Sequence, residues 1–61
     1  MKEIEILHIE IERAKQELAQ AEQNYEFAEE DFILSASLEV LAKQKKLDAL
    51  YGRAKKVWGC A

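Results

Sequence analysis

Ala28-Glu29-Glu30-Asp31-Phe32-Ile33 is where the apolar pattern of this chain changes register, and that change decides the fold. Upstream, Ile4, Leu7, Ile11, Ala14, Leu18, Ala21, Tyr25 and Ala28 repeat at the 3-4 spacing of a helix seam. Downstream, Ile33, Ala36, Val40, Leu47, Leu50, Ala54 and Val57 repeat at the same spacing one residue out of phase, interrupted once by Lys43. Carrying the first phase onward selects Phe32, Ser35, Glu39, Ala42, Lys46, Ala49, Arg53 and Lys56, a face too charged to be a seam. The register break therefore predicts an all-α fold, an antiparallel two-helix hairpin in a single domain over 1–61. A helix is expected over about 3–28, a turn at about 29–31 and a second helix over about 32–58. The alternative, one uninterrupted helix, would span roughly 80 Å at 1.5 Å per residue and would need a partner along all of it.

Residues 4–11, Ile-Glu-Ile-Leu-His-Ile-Glu-Ile, partly alternate and compete locally as a strand, but nothing downstream offers a strand to pair with. The strong helix formers from Glu12 to Ala19 extend the helix back through the isoleucines. Tyr25 lies on the seam and is expected in the core. The turn contains neither Gly nor Pro, so Asp31 is its best punctuation: its carboxylate suits a free amide of the second helix, or Glu29-Glu30-Asp31 is simply a solvated acidic connection. Gly59 is expected to stop the second helix after Trp58. Gly52, costing about 1 kcal/mol relative to Ala inside a helix, points to a close helix approach.

Sixty-one residues with no Pro, two Gly, 34% charged and 49% apolar side chains suit one small domain of long helices. One cysteine, Cys60, excludes an internal disulfide, and it has no base beside it. Met1-Lys2-Glu3 followed by alternating Ile and Glu lacks a signal-peptide core, and no apolar run of 18 residues exists, so a cytoplasmic protein with no membrane partner is expected. The net charge of −3 divides unevenly, with ten acidic and three basic side chains in 1–34 against two acidic and six basic in 35–61. Folding the second half back sets opposite charges side by side, which selects the pairing more than it stabilises it.

No constellation specifies a reaction, and neither catalytic residues, cofactor nor metal are expected. His8 has no Ser, Cys or Asp at a useful spacing. Glu5-x-x-His8 has the spacing of a di-iron ligand pair once, off the seam and without a second His. Lys46, Arg53 and Lys56 share one helical stripe that nucleic acid would suit. The sequence pI near 5.1 and the absence of an interleaved aromatic platform favour a charge match inside the bundle. What stands out is apolar surface that two seams cannot cover: Ile6, Ile9, Phe32, Leu34, Leu38 and Leu41 are expected to mediate self-association into a homodimeric four-helix bundle. Arg53, Lys56 and Trp58 are the candidates for contact with another protein.

The chain resembles the YaaL-like family of small helical bacterial proteins over about residues 12–56. The likeness is carried by Ala14-Lys15-Gln16-Glu17-Leu18 with Ala21-Glu22, by Asp31-Phe32-Ile33, and by Lys46-Leu47 through Leu50-Tyr51 to Arg53-Ala54-Lys55. Leu47 and Ala49 stand where that family often has aromatics, and its turn proline is missing. The resemblance implies no reaction. Ser35-Ala36-Ser37-Leu38-Glu39 also resembles the S-Q-E-L-D motif of the stage-zero sporulation protein E family, which implies an action on a phosphorylated response regulator. Ala36 and Ser37 replace the Gln and Glu of that motif, removing polar groups. The expected function is a non-catalytic protein–protein interaction module or regulator; a sporulation-type regulator promoting dephosphorylation is the alternative, and nucleic-acid association the second.

Overall fold

The structure, a computed structural model, describes residues 2–59. The single cysteine, Cys60, lies outside the described residues. Helix α1 spans Glu3–Glu26 and helix α2 spans Ile33–Ala54; a 3-10 turn, Glu30–Phe32, precedes α2 and a π-helical turn, Lys55–Gly59, follows it. The described residues contain no strand. The two helices fold back on each other in a body of 45 × 20 × 12 Å, about half the length of a continuous helix of this chain.

Why α1 begins where it does is a matter of backbone and charge. Lys2 is the extended residue before the helix, and its carbonyl accepts from the amides of Glu5 and Ile6 at 3.0 and 3.1 Å. No side chain caps it, while Glu3 and Glu5 put negative charge at the positive helix end. The isoleucine-rich start is helical because the helix formers after it propagate backwards at little cost, whereas a lone strand would leave its backbone unpaired.

The turn differs from expectation in two respects. Helix α1 stops at Glu26, two residues before the end of the apolar stripe, with the Phe27 amide donating to Gln23 O at 3.1 Å and the Ala28 amide to Tyr25 O at 3.2 Å. Asp31 does not cap α2: it sits inside the 3-10 turn, closed by the Phe32 amide on Glu29 O at 2.8 Å, and no side chain caps α2 at its Phe32 start. Phe27, Glu29 and Phe32 all have negative φ (−104, −72 and −113°), so the reversal needs no glycine.

The seams meet in the middle of the hairpin. Leu7, Ile11, Ala14 and Ala21 of α1 and Leu47 and Ala54 of α2 are buried, with Leu18 and Leu50 partly buried against them. Lys43, the intruder in the second stripe, lies half-buried and carries its ammonium to Glu17 at 3.6 Å, so its stem fills the seam while its charge stays paired. At the hairpin's ends the seam opens. Ile4, Ile33 and Tyr25 are exposed, Tyr25 to 46%, because a terminal turn is covered from one side only and small Ala36 and Ser37 follow at the start of α2. The expectation of Tyr25 in the core is thereby corrected.

Helical winding continues past Trp58, as α-helix to Ala54 and as the π-helical turn over Lys55–Gly59, so Gly59 is the last residue of that turn rather than a stop beyond it. Gly52 is not a point of close approach. A Cβ added there would meet nothing within 4 Å. Its lack of a side chain thus only adds freedom to the unfolded chain, and Gly52→Ala is expected to stabilise the hairpin by about 1 kcal/mol. Thermal unfolding should show a Tm raised by roughly 4–8 °C; an unchanged or lowered Tm would contradict the open surroundings of Gly52.

Candidate interaction surface

Stepping 100° per residue from the seam assigns side chains to two broad sides of the hairpin. One side carries Lys15 of α1 and Gln44, Asp48 and Tyr51 of α2. The other carries Arg13 and Glu17 of α1 with Lys46 and Arg53 of α2. Contacts across the helices agree: Lys46 Nζ donates to Glu17 Oε1 at 3.0 Å on the second side, and the Lys15 ammonium stands by the Tyr51 hydroxyl on the first. We call these the ion-pair side and the tyrosine side.

Glu17 holds both cross-helix pairs, to Lys43 and Lys46. The hydrogen bond from Lys46 lowers the Glu17 pKa below its ordinary 4.5, against some desolvation, and the charge of Lys43 adds in the same direction. Lys15 is raised above its ordinary 10.5, first by Glu12 at 3.6 Å and then by Tyr51. Both groups face solvent, so these pairs orient the helices more than they stabilise them. Because the folded-state pKa of Glu17 is depressed, its contribution is complete above the unfolded carboxylate value and disappears as pH falls through the folded value. Wild type should therefore melt slightly above Glu17→Gln at neutral pH, with the difference fading as pH falls below the ordinary carboxylate value and through the depressed folded value, and in about 1 M salt. A difference that persists in acid would show that Glu17 acts through packing.

At the open end of the hairpin, Ile4, Glu5, His8, Ile9 and Trp58 line an apolar groove of about 500 Å³. A smaller hollow of about 240 Å³ on the ion-pair side is lined by Glu10, Arg13, Lys46 and Leu50. Among the described residues, no three His, Cys, Asp or Glu converge to hold a metal ion, and no helix is long and apolar enough to cross a membrane.

The six residues expected to mediate self-association are all exposed, but they do not form one patch. Ile6 and Ile9 lie on α1 near the open end. Phe32, Leu34, Leu38 and Leu41 lie at the turn end, where Leu34, Leu38 and Leu41 form a stripe along the back of α2, with Leu34 72% exposed. Arg53, Lys56 and Trp58 are exposed together at the end of the second helix, Trp58 over the groove. In the sporulation-like stretch, Ser35 and Glu39 are exposed one turn apart, and Ser37 Oγ donates to the Leu34 carbonyl at 2.8 Å. Reading the sequence missed the exposed Phe27 and Ile33 and the groove role of Ile4. Ile4 and Ile33 carried a signal, since each is the first residue of its seam and has no covering turn beyond it.

No family model, curated protein or solved structure matches the chain. Its functional reading is accordingly built from its own surface.

Proposed function

We propose that this chain is a non-catalytic protein–protein interaction module that works as a self-associated helical hairpin, a homodimer forming a four-helix bundle. One observation carries the reading: among the described residues six side chains are buried, three of them alanines, against twelve large apolar side chains left exposed. A chain of this size is marginal with so small a core, and a second copy both covers apolar surface and adds core.

The test is mass by light scattering combined with thermal unfolding over a concentration series. Dimer mass at high concentration is expected, with Tm rising by several degrees as concentration increases, because association stabilises the folded state by mass action. A single-copy mass at every concentration, with a constant Tm, overturns the proposal.

A further inference from the structure

Resting on that reading of self-association, we infer that the second copy lies antiparallel on the tyrosine side, so that the turn end of each hairpin covers the open end of the other. The tyrosine side has exposed apolar groups at its two ends: Ile4, Tyr51 and Trp58 near the open end, with Ile9 at the edge of their groove, and Ile33 near the turn, with Leu41 where this side borders the back of α2. An antiparallel overlap that sets Ile33 of the second copy at the level of Trp58 also brings its Leu41, about two helical turns further in, to the level of Tyr51. Apolar ends meet apolar ends in both directions, as a two-fold interface requires. Between them, Lys15, Gln44 and Asp48 hold the register, because sliding one copy by a turn sets these polar groups on apolar ones. Covering the ion-pair side would desolvate Arg13, Glu17, Lys46 and Arg53, against Lys15 and Asp48 on the tyrosine side, and each such group costs several kcal/mol to bury.

Charge selects the direction. Residues 20–42, which build the turn end, hold six acidic side chains and no Lys, Arg or His. Arg53, Lys55 and Lys56 stand at the opposite end, on the last turns of the second helix. Two hairpins with their turns together would crowd six acidic groups against six, within about a Debye length of ~10 Å. Antiparallel copies instead bring each acidic turn to the three basic residues of the other. The area also fits: a face of 45 by 20 Å is of the size that provides the roughly 800 Å² per partner of a stable interface.

Single-cysteine chains test the arrangement. In a Cys60→Ser background, Leu41→Cys and Tyr51→Cys each replace an exposed side chain, so neither disturbs the core. Mixed one to one under mild oxidation, they are expected to give at least about tenfold more disulfide-linked dimer than either alone, since the bond forms only where Cβ atoms come within about 4.5 Å. A mixture no better than its components, or efficient self-linking of Ile33→Cys chains, which signals turns packed together, overturns the antiparallel arrangement. In either case a dimer mass leaves self-association standing. A monomer at all concentrations removes both and leaves the surface to a different protein. Small-angle scattering on the unmodified protein is the independent check: a particle about as long as one hairpin, 45 Å, is expected, and one twice that length means end-to-end stacking and overturns the overlap.

Discussion

Leu7→Ala should lose most of its helical signal at 25 °C in dilute solution. Leu7 is the largest fully buried side chain, 2% exposed, and truncating a buried leucine costs about 2–5 kcal/mol through lost transfer energy and the cavity left behind. A chain of this size has a total stability of only about 3–9 kcal/mol, so one such truncation removes a large share of it. The Tm, followed by far-ultraviolet circular dichroism, is expected to fall by more than about 10 °C. Ile6→Ala, one residue earlier, is the control. Ile6 is exposed on the ion-pair side, and its truncation should change stability by well under half as much. Equal melting of the two variants would mean that the first stripe faces elsewhere and that the seam does not hold the hairpin together.

The contrast between Leu7 and Ile6 also marks where the fold was legible in the sequence. The 3-4 spacing distinguishes them because a helix turns 100° per residue, and this geometry holds wherever a helix is covered along its length. It fails at the ends, where Ile4, Tyr25 and Ile33 continue the spacing but meet no neighbouring turn to cover them. Lys43 looked like a flaw in the pattern because spacing counts residues along one helix, whereas the reason for a lysine there is Glu17 on the other. Asp31 was misread for a related reason: residue type alone makes it a helix cap, but the 3-10 turn through Glu30 and Phe32 has already consumed the position. Gly52 invited a packing explanation that the open space around it removes.

The interaction surface was legible only in part, since an excess of apolar residues shows in a list and their arrangement does not. Leu34, Leu38 and Leu41 are neighbours by helical spacing and could be grouped without a structure. Ile9 and Trp58 are far apart in the chain and line one groove only because the helices run antiparallel. The charge pattern behaves similarly. Read along the chain, it opposes an acidic half to a basic half; folded, it also becomes an axial asymmetry, with acidic residues gathered at the turn and Arg53, Lys55 and Lys56 at the open end.

Leu41→Glu and Leu41→Lys should both abolish self-association at concentrations where the wild type is dimeric. Leu41 is 51% exposed in the single hairpin, so either charge can reach water there and the fold should tolerate both. In the proposed dimer the same position is covered by the second copy, and a charge buried without a matched partner costs about 3–5 kcal/mol. That cost corresponds to a Kd weakened by more than about a hundredfold, read as a monomer mass in light scattering and as loss of the concentration dependence of Tm. Using both signs separates desolvation from long-range charge: in the antiparallel dimer position 41 faces the Tyr51 end of the second copy, beside its Arg53 and Lys55, so charge alone would make Glu strengthen the dimer and Lys weaken it. Desolvation predicts that the two weaken it alike, while Arg13→Ala on the ion-pair side leaves it intact. A Leu41→Lys protein that still dimerises moves the interface off the tyrosine side, with the back of α2 at Leu34 and Leu38 as the next surface to substitute.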